Sequence, residues 1–365
     1  MELLILGFPQ SGKTTVFGAL TSRHAAPPAR GGVSNAATVG VAKIPDHRLD
    51  VLGAMYHPER IVPADIRYVD TPGLGGGRKR GSSIGGELVN LMQGADALLH
   101  VVRAFEDPAV PHPQGAETPQ EALASMDLEL VLIDLGILER RAERVSGQMK
   151  SARSDERAAL TRELGLLSEV RSGLEKEIPA YHQDLSEEVR ALVVTYGLVT
   201  AKPMLVVLNL GEDRIAEASE WEARWGELLA GTGRGVVALG GKLEMELAEL
   251  SADDEAEFRG SLDAGERGGD RVARASFDLL GLISFFTVGE DEVRAWTVQR
   301  HERAVQAAGK IHSDISRGFI RAEVVAYGDL VPGGMAEARK VGRVRLEGKE
   351  YPLKDGDVIN FLFNV

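Results

Sequence analysis

The stretch ELLILGFPQSGKTTVFGAL, residues 2–20, decides the fold, because a short apolar run passes through a glycine-bearing loop into an apolar-rich helix. Glu2 to Leu6 predict a buried strand, and Gly7 to Thr14 read GFPQSGKT, which matches the pattern GxxxxGK[ST]. The pattern is specific when a strand precedes it and a helix follows it. The backbone N–H groups of such a loop, together with the helix N-terminus, form a concave anion site. A chance glycine-rich turn would not bring these three features together, so the sequence predicts a phosphate-binding loop.

The residue types in this loop predict separate roles. Lys13 is expected to reach the β- and γ-phosphates of a bound nucleotide as a catalytic residue, and the Thr14 hydroxyl is expected to bind Mg²⁺. The residues predicted to contact the nucleotide here are Phe8, Pro9, Gln10, Ser11, Gly12, Lys13, Thr14 and Thr15.

A second phosphate element, Asp70-Thr71-Pro72-Gly73-Leu74, follows the predicted strand 66–70. An acid at the end of a strand beside a phosphate loop usually holds Mg²⁺, directly or through water, so Asp70 is a predicted metal ligand. The Gly73 amide is predicted to contact the γ-phosphate as a second catalytic group. Many GTPases carry a glutamine after this glycine to orient the attacking water. Leu74 stands there and cannot bind water, so hydrolysis should be slow without a partner; the alternative for the whole element is a tight turn that ends a strand.

The third element is Asn209-Leu210-Gly211-Glu212, after the apolar run 202–209. Guanine-specific proteins carry NKxD there, with the lysine stem over the base and the aspartate on the guanine N–H groups. Leu210 and Glu212 replace those two residues, and a site built around a buried hydrogen-bond pair loses discrimination when the pair changes. We therefore expect Asn209, Leu210 and Glu212 to contact the base, with ATP favoured over GTP, although a strand-end cap by Asn209 and Glu212 stays open. A further Mg²⁺ ligand is expected from Ser34 or Thr38, and spacing does not choose between them.

Composition limits the class of protein. The chain has 365 residues, a net charge of −13 and a hydrophobic content of 44%, which supports ordinary buried cores. It contains no cysteine, so disulfides, thiolate chemistry and zinc–cysteine sites are excluded. It has no apolar run of about 18 residues that would cross a membrane, and no basic region before the first strand that would indicate secretion. These features predict a cytoplasmic protein that does not bind membranes.

The pattern along the chain predicts an α/β fold with a doubly wound, mostly parallel sheet. Heptad spacing predicts an inserted antiparallel helical pair, and two helices packed on the main core are the alternative. The two predicted seams are Leu128, Val131, Leu135, Leu138, Ala142, Val145 and Met149, then Leu160, Leu164, Leu167, Val170, Leu174 and Ile178. The expected domains are 1–120 and 191–280 for the nucleotide, 121–190 for the helical insertion, and 281–365 for a mixed α/β module. Asp355-Gly356 predicts a hairpin turn in that module.

Two further features leave alternatives open. His100 lies on a predicted buried strand and is expected to be a core residue with satisfied ring nitrogens. Basic residues near Trp296 and Phe319 are compatible with RNA binding. A solvated charged face over core aromatics is equally compatible with them.

These motifs together resemble the YchF / Obg-like ATPase family over nearly the whole chain. The resemblance rests on GFPQSGKTTVFGALT, TVGVAKIPDHRLDVL, HVVRAFED, VLIDLGILERRAERV, the family's NxxE as NLGE, and the tail from FFTVGEDEVRAWTV to DGDVINFLFNV. DTPGL instead of the family's DIAGL, and Gly240-Gly241-Lys242 at a base-contacting loop, mark a divergent member.

The resemblance implies a cytosolic ATPase of the translation-factor GTPase class, with Mg²⁺ as cofactor. It also implies a coiled-coil arm, a C-terminal β-grasp-like TGS domain and association with the ribosome or its RNA. We expect a monomer that hydrolyses ATP slowly and is stimulated by a partner. Two alternatives remain: a GTP-specific GTPase, and a nucleotide-gated ribosome-binding adaptor with negligible hydrolysis.

Overall fold

A computed structural model describes residues 1–21, 37–71, 86–112 and 117–364. Its elements up to the end of the helical region are β1 (Glu2–Leu6), α1 (Lys13–Thr21), β2 (Thr38–Lys43), α2 (His47–Tyr56), β3 (Arg60–Val62), β4 (Asp65–Asp70), α3 (Gly86–Gly94), β5 (Ala97–Ala104), α4 (Pro119–Met149), α5 (Ser154–Leu174) and α6 (Glu187–Thr195). Next come β6 (Met204–Leu210), α7 (Ala218–Leu228), β7 (Gly235–Leu239), α8 (Gly241–Ala248), α9 (Ala252–Ser261) and α10 (Gly268–Leu279). The last are β8 (Leu282–Val288), β9 (Glu292–Gln299), α11 (Ala304–Ile311), α12 (Ser313–Arg317), β10 (Phe319–Ala326), α13 (Tyr327–Leu330), α14 (Gly334–Lys340), β11 (Arg345–Glu347) and β12 (Asp357–Phe363). None of the helices in the described ranges combines the length and the apolar character needed to cross a membrane.

The first compact unit comprises residues 1–40 and 67–271 and contains a six-stranded sheet in the order β2-β4-β1-β5-β6-β7. β1 pairs in parallel with β4 and β5, and β5, β6 and β7 continue in parallel. Every residue of β5 and β6 is buried, which explains why both read as mostly apolar runs rather than alternating strands. The prediction of an α/β fold with a parallel sheet is confirmed at this level. The carboxyl ends of β1, β4, β5 and β6 therefore meet at one edge of the sheet, where the predicted motifs begin.

Helices α4 and α5 form an antiparallel pair. α4 starts with a capping box in which Thr118 and Glu121 bond each other's backbone N–H groups. Residues 150–153 connect the two helices. Arg141 on α4 pairs with Glu163 on α5 at 2.6 Å, and the two residues lie at similar sequence separations from this connection, as an antiparallel arrangement requires.

The heptad seams are only partly right. Most of the predicted seam residues are buried or partly buried, but Leu128 and Ile178 are 42% and 40% exposed, so these two assignments are wrong. Met126 and Leu130 on α4 share an apolar cluster with Leu4 and Leu98 of the sheet. The buried face of α4 is therefore wider than a heptad stripe, as the alternative of helices packed on the main core expects.

The second compact unit comprises residues 41–66 and 272–365. Its six-stranded sheet has the order β11-β10-β12-β8-β9-β3. β8–β9, β10–β12 and β10–β11 are antiparallel, whereas β12–β8 and β3–β9 are parallel. The sheet therefore combines parallel and antiparallel pairs. Because helices α11 to α14 accompany its strands, the unit is the mixed α/β module that the sequence predicts.

Residues 41–66 join this second unit although the sequence places them in the domain 1–120. α2 packs against β8 and β9, and β3 adds a parallel strand to β9. Arg48 bonds both Asp46 and Asp355 and lies 5.1 Å from the centre of the Phe286 ring. The chain thus leaves the nucleotide sheet after β2 and returns to it with β4. The other expected domain boundaries stay predictions.

The Asp355-Gly356 pair forms a turn, with Gly356 at φ +84°. It does not join two strands of a hairpin, because β12 pairs with β10 and β8, and the residues before the turn make only one isolated bridge, Arg303 with Pro352. That part of the prediction is wrong, since a turn signal fixes the local backbone and not the pairing of its flanks.

Candidate nucleotide-binding site

The loop after β1 has the backbone that its glycines predict. Gly12 has φ +89°, in the region that favours glycine, and a Cβ there would lie 2.1 Å from Asn209 Nδ2. The Ser11 N–H donates to the Phe8 carbonyl at 3.3 Å, and the Val16 N–H donates to the Gly12 carbonyl at 2.8 Å, where α1 begins. The loop is therefore closed on itself and leads directly into the N-terminus of α1.

Lys13 is 7% exposed, and its Nζ donates to the Phe8 carbonyl oxygen at 2.9 Å. Burial lowers the pKa of Lys13 from 10.5 to about 8, against the opposing charge of Asp70. An ammonium group has three N–H donors and this one uses one of them on a carbonyl. A phosphate would supply both the missing acceptors and the opposite charge.

Asp70 and Thr14 meet beside Lys13. Thr14 Oγ1 donates to Asp70 Oδ2 at 2.8 Å, while Asp70 Oδ1 is buried and has no partner in the described residues. Burial raises the pKa of Asp70, and the Thr14 hydrogen bond and the Lys13 charge oppose that rise. A hydroxyl and a buried, unsatisfied carboxylate oxygen are the hard oxygen donors that suit Mg²⁺. The described residues contain no group of three acidic or histidine ligands, so the other positions would belong to water and phosphate oxygens.

The other residues predicted to bind the γ-phosphate, the attacking water or Mg²⁺ have different outcomes. Gly73 and Leu74 lie outside the described residues, as does Ser34. Thr38 is exposed at the start of β2. Thr71, which had no predicted side-chain role, is 4% exposed and donates from Oγ1 to the Ile5 carbonyl at 2.7 Å, tying the end of β4 to β1.

Asn209 joins three loops. Its Nδ2 donates to the Ser11 carbonyl at 3.0 Å, and its Oδ1 accepts from the Gly241 N–H at 2.9 Å. The side chain is 4% exposed. Because both partners lie on other loops, Asn209 fixes the phosphate loop against the start of α8 rather than capping its own strand.

Leu210 and Glu212 point to different environments. Leu210 is 3% exposed and belongs to an apolar cluster with Trp225 and Ala218, so its side chain lies in the core. Glu212 is exposed at the start of a short 3₁₀ helix, Glu212–Glu217, and its carboxylate makes no hydrogen bond with another described residue. Glu212 is therefore free to accept from a ligand, and the contact of Leu210 with a base stays a prediction.

Phe105 is a site residue that the motif reasoning missed. A Cβ built on Gly12 would lie 4.0 Å from Phe105 Cε1, and one built on Gly211 would lie 3.6 Å from Phe105 Cβ. Phe105 thus stands between the phosphate loop and the Asn209–Glu212 motif. The available signal was its position directly after a buried strand whose end meets the same edge of the sheet.

His100 is fully buried, but the expectation of satisfied ring nitrogens is wrong. Neither Nδ1 nor Nε2 has a hydrogen-bond partner in the described residues. Burial, together with the charges of Arg234 and Lys13, lowers the pKa of His100 from 6.5 to about 3. The ring is thus held neutral at neutral pH.

The aromatics of the C-terminal unit favour the solvated-face interpretation. Phe319 is 5% exposed and packs edge-on against Phe361. Trp296 is covered by Arg294, whose Cζ lies 4.1 Å from the ring centre, and its Nε1 donates to Thr287 Oγ1. Neither ring is free to stack on a base.

Comparisons with known proteins agree with this geometry. A family model described as a 50S ribosome-binding GTPase matches residues 2–134, and the YchF-GTPase C-terminal model, described as a protein of unknown function, matches residues 282–364. The chain is 40% identical to the "Ribosome-binding ATPase YchF" of Bacillus subtilis (strain 168), over 99% of this chain and 98% of that protein. It is 36% identical to the protein of the same name from Escherichia coli O157:H7, with the same coverage. Among solved structures it resembles the Schizosaccharomyces pombe YchF GTPase, with a TM-score of 0.83, 27% identity and coverage of 99% and 97% of the two chains.

Proposed function

The chain belongs to the family of the ribosome-binding ATPase YchF, and on this premise we propose that it binds ATP at residues 7–14 and hydrolyses it to ADP and phosphate. The observation that carries the proposal is the cluster of Lys13, Thr14 and Asp70 at the carboxyl edge of the parallel sheet. An ammonium group, a hydroxyl and a carboxylate beside an amide-lined loop form the recurrent set of groups for phosphoryl transfer.

In this mechanism the chain contributes mainly positioning and charge. The loop amides and Lys13 bind the phosphate tail, and the Lys13 charge opposes the negative charge that builds up on the transferring group. Thr14 and Asp70 would hold Mg²⁺, which neutralises phosphate oxygens when bound. The Gly73 amide is proposed to bind the γ-phosphate. Leu74 cannot orient the attacking water, so hydrolysis is expected to be slow unless a partner supplies that group.

ATP is the preferred nucleotide in this proposal, and GTP is the runner-up. The Bacillus subtilis relative is named an ATPase, and the Schizosaccharomyces pombe structure is named a GTPase. Leu210 and Glu212 replace the two base-reading residues of guanine-specific sites, and the Leu210 side chain lies in the core. Calorimetric titration with ATP and GTP in Mg²⁺ tests the preference; tighter binding of GTP would overturn it.

The proposed partner is the ribosome, because the relatives from Bacillus subtilis and Escherichia coli are named as ribosome-binding proteins. Within that proposal α4 and α5 form a coiled-coil arm, residues 282–364 form the TGS domain, and the chain acts as a cytoplasmic monomer. An adaptor that hydrolyses almost no ATP is the alternative that Leu74 favours. Single-turnover ATP hydrolysis, measured with and without ribosomes, decides between the ATPase and the adaptor. Rates equal to the uncatalysed rate in buffer under both conditions would favour the adaptor.

Removal of the Lys13 ammonium tests the site itself. Lys13→Ala is expected to abolish ATP binding in calorimetry, since the amide loop alone leaves the triphosphate charge without its counter-ion. Lys340→Ala, at a lysine whose side chain is 77% exposed in the C-terminal unit, is the control and should bind ATP normally. Unchanged affinity in Lys13→Ala would refute the assignment.

A further inference from the structure

Arg103, near the end of β5, is a buried cation that has no acidic partner among the described residues. It is 6% exposed, no carboxylate of the described residues pairs with it, and its Nη2 is buried without a hydrogen bond. A guanidinium group stays charged in proteins, and burying it without a counter-charge is costly. The surroundings of Arg103 must therefore offset this cost by other contacts.

The hydrogen bonds that this guanidinium group makes with described residues go to the segment that follows β5. Arg103 Nε donates to the Phe105 carbonyl at 3.1 Å, and Nη1 donates to the Pro111 carbonyl at 3.4 Å. The Cζ atom lies 4.6 Å from the centre of the Phe105 ring, within the range of a cation–π contact. The Arg103 side chain therefore holds both ends of the turn 105–111 and covers one face of the Phe105 ring.

The ring so held borders the nucleotide site on two sides. Phe105 approaches Gly12 in the phosphate loop and Gly211 in the Asn209–Glu212 motif. The phosphate-binding groups, Lys13 and Thr14, lie on the helix that follows Gly12, whereas Glu212 is the acceptor proposed for the base. Phe105 therefore lies between the phosphate loop and the motif that carries the acceptor proposed for the base.

We propose that Arg103 is a positioning residue, which holds the Phe105 ring as a wall of the base pocket and thereby contributes to ATP affinity without contacting ATP. The inference rests on the proposed function and deepens it. An aromatic ring offers a π-face to a purine, and such stacking tolerates different bases. Arg103 and Phe105 therefore set affinity for the base, and the choice between ATP and GTP remains with residues such as Glu212.

A base-free ligand separates this role from general support of the fold. ATP and inorganic tripolyphosphate, each with Mg²⁺, are titrated into the full chain and into Arg103→Met. We expect Arg103→Met to weaken ATP about tenfold, or about 1.4 kcal/mol, and to leave tripolyphosphate affinity unchanged. Arg103→Lys, which keeps the charge but loses the planar fork, should fall between Arg103→Met and the parent chain.

Arg345→Met is the matched control, because Arg345 also donates to a neighbouring group, the Tyr351 hydroxyl, and lies 5.7 Å from that ring, but in the C-terminal unit. It should change neither affinity. Equal losses for both ligands in Arg103→Met, or no loss for ATP, would overturn the inference.

A second variant keeps the test decisive if Arg103→Met does not fold. Phe105→Leu should reproduce the selective loss of ATP affinity, and the double variant with Arg103→Lys should lose less than the two single losses combined, since both changes remove one wall. Parent-like ATP affinity in Phe105→Leu would overturn the inference. Failure of the parent chain to bind either ligand would instead overturn the proposed function.

Discussion

At the scale of single residues, Asn209 holds the site together with two hydrogen bonds from one buried amide. Asn209→Ala removes the bonds to the Ser11 carbonyl and the Gly241 N–H and leaves both groups buried. At about 1 kcal/mol for each bond, we expect ATP affinity to fall about tenfold or more. Tripolyphosphate affinity should fall as well, because the phosphate loop itself loses its support.

The partner variant Asn209→Asp separates the two bonds of this amide. An aspartate keeps an acceptor for the Gly241 N–H but sets a carboxylate against the Ser11 carbonyl. It should therefore bind tripolyphosphate no better than Asn209→Ala. Calorimetry on both variants checks this, and parent-like binding by Asn209→Asp would show that the Ser11 bond is dispensable.

His100 gives the chain a pH-dependent stability. Its pKa is about 3 when folded, against 6.5 unfolded, so below about pH 6.5 the unfolded chain binds a proton that the folded chain does not. Stability therefore falls as pH drops from about 6.5 towards 3, by up to about 1.4 kcal/mol per pH unit for this one group. His100→Leu should remove that slope while Arg234 and Lys13, the charges that face the ring, remain in place.

Urea unfolding at pH 7 and at pH 5.5 measures the effect of His100. The difference in unfolding free energy between the two pH values should be smaller in His100→Leu than in the parent chain. His182→Gln, at an exposed histidine, is the control and should keep the parent's difference. An unchanged pH slope in His100→Leu would contradict the assignment.

The sequence predicts a site residue when that residue belongs to a short, recognisable motif. Lys13 and Thr14 act through a contiguous loop, and Asp70 and Asn209 act at strand ends, so short motifs identify them. Phe105 and His100 owe their surroundings to segments far away in the chain, such as the contact of Phe105 with Gly211. The position of Phe105 directly after a buried strand indicates the edge of the sheet at which it lies, but it does not indicate these contacts.

At the scale of elements, a polar cluster secures the helical pair. Arg141 on α4 donates from Nε and Nη2 to Glu163 on α5, and the Tyr196 hydroxyl after α6 donates to the same carboxylate at 2.5 Å. Tyr196→Phe should lower the free energy of unfolding by about 1 kcal/mol, a value that allows for partial exposure of the group. Arg141→Met should cost more, because it removes two bonds and the contact with the Tyr196 ring.

Thermal and urea unfolding of the two single variants and the double variant measures the coupling in this cluster. The two losses should not add, since both act on Glu163. Arg162→Met is the control, because its pair with Glu188 is largely exposed. Additive losses would show that the cluster does not act as a unit.

The strands that the sequence predicts most clearly are the ones whose residues are fully buried. The fully buried strands β5 and β6 were predicted from their apolar runs. The three-residue strands β3 and β11 are too short to show a period, and they exist because β9 and β10 offer an edge to pair with. Leu128 is exposed because the sheet, and not only the partner helix, decides which face of α4 is buried. Ile178 is not a seam residue because α5 ends at Leu174.

At the scale of the whole molecule, the order of the chain and the division into compact units do not coincide. Residues 41–66 lie in the sequence between the phosphate loop and Asp70, yet they fold with residues 272–365. α2 buries Leu49 and Leu52 within the second unit, where it packs against β8 and β9. These two strands come more than two hundred residues later in the chain. No periodicity in the sequence reports such a pairing, which explains why the expected boundary at residue 120 includes this segment in the nucleotide domain.

This arrangement makes the predicted boundary near residue 280 unsuitable for cutting the chain. A fragment of residues 1–280 lacks β8 and β9, so Leu52, which is 0% exposed in the full chain, loses the surface that covers its helix. Because the chain has no cysteine, Leu52→Cys introduces a single thiol whose reaction with a disulfide reagent reports on this loss. We expect the thiol to be protected in the full chain and to react many-fold faster in the fragment, while a cysteine at Leu98, buried in the nucleotide sheet, stays protected in both. Equal protection of Leu52→Cys in the two proteins would mean that residues 41–66 fold without the C-terminal unit.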